Sequence, residues 1–190
     1  MSKLKLEGNA SGTGTFTIAA PNSNTDRALA LPDEAGTVLT SASDLAAANL
    51  TGTVAAARLP AGSVLQVLQT VKTTEFSTTS ASYVTTGLSV SITPSSTSNK
   101  VLVIFSGATS GSAEGVFAGS QLKRASTVIS TKDQPVHRSW EGSSSFCYLD
   151  SPSTTSSTTY EIFIKANAGT AYLNRDGNDD STITVMEIAG

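Results

Sequence analysis

The chain has 190 residues and a mass of 19.4 kDa, room for one ordinary domain with an appendage. Its net charge is −3, its pI is about 5.1, and its 12 lysines and arginines are scattered, which excludes the clustered cations that a nucleic-acid surface needs. Hydrophobic residues make up 38% and charged residues 14%, no run approaches the about 20 apolar residues of a membrane span, and Ser and Thr, roughly 30% of the chain, fill the difference.

The opening "MSKLKLEGNA" has two lysines and no apolar run behind them, so it is not expected to be a secretory signal. Residues 14–40, "GTFTIAAPNSNTDRALALPDEAGTVLT", follow with short strand-like pieces separated by dense turn signals at "PNSNTD" and "PDEAG". Three strands of about five residues cannot form a free sheet with its own core. Phe16, Ile18, Leu29, Leu31, Val38 and Leu39 therefore need burial that one copy of this section cannot supply, and residues 1–43 are expected to act as an assembly arm. Residues 44–62 are an Ala-rich connector, with Ser43 or Asp44 placed to cap a short helix and Gly52 to stop it.

Residues 63–190 alternate Ser and Thr with Val, Ile, Leu, Phe and Tyr, which is a strand pattern. "VLQVLQTVKT" starts a long strand, and "SYVTTGLSVSITP" gives one or two more around Gly87. "VLVIFSG" is a continuous apolar run, expected to be a strand buried on both faces. "GVFAGSQLKR", "STVIST" and "SSFCYLD" follow, and the last of these is expected to bury Cys147 as a small hydrophobe. "TTYEIFIKA" alternates cleanly, with Tyr160, Ile162 and Ile164 on one face. "TAYLNR" and "STITVMEIAG" close the chain around "DGNDD", whose Asp176-Gly177 reads as a hairpin turn rather than a calcium loop, because the full calcium-loop spacing is absent. About eight to ten short strands at this spacing predict an all-β fold, a jelly-roll-like β-sandwich behind the N-terminal arm.

Cys147 is the only cysteine, so no intrachain disulfide is possible and assembly in a cytoplasm, with lysis as an exit, is expected. No catalytic residue, metal site or cofactor is expected. His137 lacks a distinguishing nucleophile partner, and Asp133, Glu141, Asp150 and Glu161 carry no motif that would pair them for glycan hydrolysis. The loop "DQPVHRSW" holds the only His and the only Trp. Trp and Tyr stack on sugar rings and anchor interfaces, so His137, Arg138, Trp140 and Tyr148 are the candidate ligand contacts, with Tyr172 and Arg175 behind them.

The stretch at residues 14–40 closely resembles the N-terminal unit of bacteriophage tail-fibre and related virion proteins, especially those of marine and cyanobacterial phages. "LAAANLTGTVAAARLP" resembles the connector that follows such units. "VLQTVKTTEFSTTSASYVTTGLSVSITPSSTSNKVLVIFSG", "LDSPSTTSSTTYEIFIKANAGTAYLNR" and "STITVMEIAG" resemble a domain that ends a fibre. The resemblance implies a homotrimer in the virion, docked on other virion structural proteins and displaying its C-terminal domain to a host-surface glycan. The chain carries a single N-terminal unit and no long shaft, so a capsid decoration or head-fibre protein is the alternative, and a polysaccharide depolymerase a more distant one.

Overall fold

The computed structural model describes residues 11–15, 17, 22–26, 52, 54, 55, 58–133, 142–177 and 179–190. The chain divides into two compact units, Met1–Thr51 and Gly52–Gly190. In the first, the described residues are exposed, and Thr25 donates its backbone N–H to the Ser23 hydroxyl at 3.2 Å within the predicted "PNSNTD" turn. Of the expected strands only Thr15 and Thr17 are described, and neither is in a strand; the remainder, the helix cap at Ser43 or Asp44, and Phe16, Ile18, Leu29, Leu31, Val38 and Leu39 lie outside the described residues.

The second unit is all-β. Its strands are β1 (Val64–Lys72), β2 (Phe76–Thr78), β3 (Val84–Ile92), β4 (Lys100–Gly111), β5 (Ala118–Arg124), β6 (Thr127–Lys132), β7 (Gly142–Asp150), β8 (Thr158–Ala166), β9 (Ala171–Leu173) and β10 (Ser181–Ile188). One sheet runs β1-β10-β4-β7, with β9 and β2 extending it; the other runs β3-β8-β5-β6, and every pairing is antiparallel. β9 and β10 lie end to end along one edge of β4, pairing with Thr109–Gly111 and then with Lys100–Ser106. They act as one strand broken at residues 174–180, and β1 and β2, which pair with β10 and β9, are one strand broken at the same level. Counting each broken pair once leaves eight strands in two four-stranded sheets. The order in which the chain crosses between the sheets is that of a jelly roll.

The core lies between the sheets, because each strand sends alternate side chains inward. Val101, Val103 and Phe105 from β4 meet Leu88, Val90 and Ile92 from β3, Tyr160, Ile162 and Ile164 from β8, and Ile183 and Val185 from β10. Each such side chain contributes about 1.5–3 kcal/mol by leaving water. The Phe105 and Phe146 rings sit 5.9 Å apart, and Phe105 also covers Gly107, where any Cβ would overlap the ring.

Three expectations are corrected. Over "VLVIFSG" β4 is buried on one face only: Leu102 is half-buried and Ile104 exposed, because among the described residues no third layer covers that side of the sheet. Cys147 is exposed, since it pairs with Ile104 and shares its outward face. Asp176-Gly177 does not turn a hairpin, because β9 and β10 pair with β4 and not with each other. The region around Gly87 is a single strand, β3, with a register shift between Thr85 and Ser89, and Gly87 takes a left-handed φ of 73° there.

Two buried polar networks tie the layers together. On β7, Asp150 accepts bonds from Arg124 Nη1 on β5 at 2.7 and 2.8 Å and from the Tyr160 hydroxyl on β8 at 2.7 Å, joining the two sheets. On β10, Glu187 is 1% exposed. It accepts from the Ser95 N–H at 2.6 Å, the Ser95 hydroxyl at 2.8 Å, Asn99 Nδ2 at 2.6 Å and Gln66 Nε2 at 2.6 Å.

Candidate functional site

The two ends of the sandwich differ. At the Lys100 end of β4, the chain enters and leaves: Gly62 N–H bonds to Ala189 O at 2.8 Å, Ala189 N–H to Ser63 O at 2.9 Å, and Gly190 N–H to Asn99 Oδ1 at 3.1 Å. Twelve residues of β4, roughly 35–40 Å at strand rise, separate this end from the Gly111 end. Loops gather at that far end. Ser112 N–H bonds to Thr170 O at 2.9 Å and Phe117 N–H to Asn167 Oδ1 at 2.8 Å, linking the β4–β5 and β8–β9 loops.

The break between β9 and β10 shapes a cleft at this far end. Asn174 has φ 54° and is fully buried. Asparagine tolerates this left-handed backbone better than most residues, and its polar atoms pin the break. Its N–H bonds to Ala108 O at 2.9 Å, its Nδ2 to Lys72 O at 2.6 Å, and its Oδ1 accepts from the Ser181 hydroxyl at 2.6 Å. Asp176 (φ 62°) and Gly177 (φ 65°) continue the left-handed turn, and Asp176 N–H bonds to Glu75 Oε2 at 3.0 Å.

The turn presents Arg175, Asp176 and Asp179 beside Ala108–Ser110 of β4 and Gly142 of β7, around a cleft of about 210 Å³. Arg175 Nη1 donates to Gly111 O at 3.0 Å, and its guanidinium lies 4.7 Å over the Tyr172 ring. The Ser110 hydroxyl is buried without a hydrogen-bond partner. The cleft lining offers guanidinium and hydroxyl donors and two carboxylate acceptors, groups that suit hydrogen bonding to a polar ligand. The volume is below the roughly 300 Å³ of the smallest drug-sized sites, room for no more than a group the size of one sugar.

A second polar cluster lies at the same end. Tyr83 donates its hydroxyl to the Asp133 carboxylate, and Lys165 Nζ reaches Asp133 Oδ2 at 3.0 Å while lying 4.8 Å over the Tyr83 ring. Burial, then the bond to Asp133, pushes the Tyr83 phenol up. The Tyr83 bond and Lys165 hold the Asp133 carboxyl below the usual range against its partial burial. Among the described residues no group of three or more His, Cys, Asp or Glu could hold a metal ion.

Of the candidate ligand contacts, His137, Arg138 and Trp140 lie outside the described residues. The described residues on either side of that segment, Asp133 and Gly142, belong to the loop-bearing end. Tyr148 is 40% exposed and pairs with Val103, six residues along β7 from the cleft residue Gly142, or roughly 20 Å at strand rise. Asp179 and Ser110 were not anticipated. The "NRDGNDD" run marks a turn, but nothing in it says which strand of the sheet lies beneath.

No family model and no curated protein matches the sequence. Solved structures similar to the chain include those of infectious bursal disease virus. The Gx strain structure shows 14% identity over 66% of this chain and 32% of that one, with a TM-score of 0.40. T=1 particles derived from the virus give 14% identity over 66% of this chain and 36% of that one, with a TM-score of 0.40. The Gt strain gives 12% identity over 74% and 43%, with a TM-score of 0.42. The chain thus spans less than half the length of each of these chains.

Proposed function

We propose that the chain is a structural virion protein of a tailed bacteriophage, a short homotrimeric tail fibre. Its N-terminal section attaches to the particle and its jelly roll displays the loop-bearing end to a host-surface glycan. The observation that carries this reading is the polarity of the jelly roll: the chain enters and leaves at the Lys100 end, and the cleft and loops lie at the opposite end. The resemblance of residues 14–40 to phage fibre units supplies the setting. The function is recognition, not turnover. Each head binds weakly, and three heads on several fibres multiply that affinity.

The test is competition. Purified protein should coat host cells and block phage adsorption. Trp140→Ala and Asp179→Ala should each weaken that block about tenfold while the melting temperature stays put; Asp179 is an exposed cleft residue outside the strands. Full blocking by both variants would remove this end from recognition. Host polysaccharide incubated with the protein should yield no new reducing ends. A capsid decoration role is the second reading, and it predicts no competition at all.

A further inference from the structure

The cleft at the break between β9 and β10 carries more negative than positive charge. Asp176 and Asp179 line it, and Arg175 is the one cation among its described lining residues. A third carboxylate, Glu75, accepts the Asp176 N–H at 3.0 Å. Among the described residues neither Asp176 nor Asp179 has an ion-pair partner, unlike Asp150 and Asp133, which Arg124 and Lys165 neutralise. The Arg175 guanidinium is anchored to the fold, through Gly111 O at 3.0 Å and the Tyr172 ring at 4.7 Å. The Ser110 hydroxyl, on a residue 4% exposed, belongs to the same lining and has no hydrogen-bond partner. Buried hydroxyls are normally paired, so the cleft holds an unmet polar group as well as surplus negative charge.

We infer that the cleft takes a sugar bearing a protonated amine, a hexosamine, in preference to a neutral or an acidic sugar. This rests on the glycan reading proposed above and narrows it. Charge sets the order. An ammonium about 4 Å from one carboxylate gains on the order of fivefold in affinity even in full water. A uronate in the same place loses affinity through like-charge repulsion. The Ser110 hydroxyl and the Arg175 guanidinium are left to pair with the hydroxyls beside the amine.

Size and composition argue for an organic cation over a metal ion. The cleft volume of about 210 Å³ far exceeds a bare ion and has room for one sugar. Among the described residues no group of three or more His, Cys, Asp or Glu could hold a metal, and the anchored charge of Arg175 repels a compact dication. An amine on a sugar ring keeps its charge at one corner of a larger neutral body, so it can meet the carboxylates while its ring lies by Arg175.

The test is ligand-observed NMR on the full-length protein at pH 6, where the amine is protonated and the carboxylates are ionised. The probes are glucosamine, glucose, glucuronate and n-butylamine. Glucosamine should bind about fivefold tighter than glucose, and glucuronate more weakly than glucose. Butylamine, which brings the charge without the ring, should bind more weakly than glucosamine. Asp179→Asn should bring glucosamine down to the level of glucose. Asp176→Asn, which keeps a residue type that tolerates φ 62°, is the second variant should the first fail to fold. Glucose or glucuronate binding as tightly as glucosamine overturns the charge selection and leaves the glycan reading standing. Butylamine matching glucosamine overturns the sugar, since charge alone then fills the cleft. A fivefold preference that survives in a folded variant overturns the cleft as its source. If no sugar binds, the inference falls, and coating of host cells by the same protein then decides the glycan reading separately.

Discussion

Glu187 is a buried carboxylate that faces only neutral donors. Burial by itself would raise its pKa, but the bonds from Asn99, Gln66 and Ser95 outweigh burial and hold the carboxyl below the usual range. A group whose folded pKa is depressed stabilises the fold above its unfolded value and loses that contribution as pH falls through the folded one. Glu187→Gln keeps the shape but turns an amide N–H₂ toward donors that need an acceptor. The variant should be about 2–4 kcal/mol less stable at pH 7. Urea denaturation at pH 7 and pH 3 checks the origin: the wild-type midpoint should drop toward the variant's at pH 3, and two curves that stay parallel would place the pH dependence elsewhere. The alternation of "STITVMEIAG" already placed Glu187 on the face of Ile183 and Val185, so an acid at an apolar position was legible. Its partners were not, because they come from two distant segments, β1 and the β3–β4 loop. Cys147 shows the opposite case. In "SSFCYLD" both faces of the strand are apolar or small, so the sequence pattern does not say which residues point inward, and exposure follows only from the pairing with Ile104.

At the scale of elements, strand existence was readable from alternation, and β8 (Thr158–Ala166) coincides with "TTYEIFIKA". Strand continuity was not. "DGNDD" has the composition of a hairpin turn, yet the chain beyond it continues along the same neighbour, β4, because Asn174 ties the break to both flanking strands. That tie can be dissected. Asn174→Ala loses the bonds to Lys72 O and the Ser181 hydroxyl and puts a Cβ-bearing residue without a local polar side chain at φ 54°. Two lost buried bonds and the left-handed backbone together should cost about 2–4 kcal/mol. Asn174→Gly relieves the backbone but not the bonds, so it should fall between Ala and the wild type in thermal melts. A glycine variant as stable as the wild type would mean the side-chain bonds contribute nothing. The misread face of β4 has a simple cause: a strand buried on both faces and one whose outer Leu102 and Ile104 stay half-buried and exposed use the same apolar run.

At the scale of the whole molecule, the jelly roll puts the ends of its own chain and the cleft at opposite ends of β4. Gly62, Ser63, Gly190 and the Glu187 network share one end of the sandwich. The cleft, whose left-handed turn and small volume suit contact with a ligand, lies at the other end. Among the described residues the core is drawn entirely from the second unit, and on the proposed division of roles residues 1–43 serve attachment. Phage carrying a gene that lacks residues 1–43 should therefore make a folded C-terminal domain that is missing from purified particles. Particles of the parent phage should carry the protein in tens of copies if it stands on the tail and in hundreds if it decorates the capsid, as counted by quantitative mass spectrometry. Full occupancy by the truncated protein would show that the jelly roll itself docks. The outer face of the β1-β10-β4-β7 sheet, where Val67, Val71, Ile104 and Leu149 are exposed, would then be the first surface to substitute.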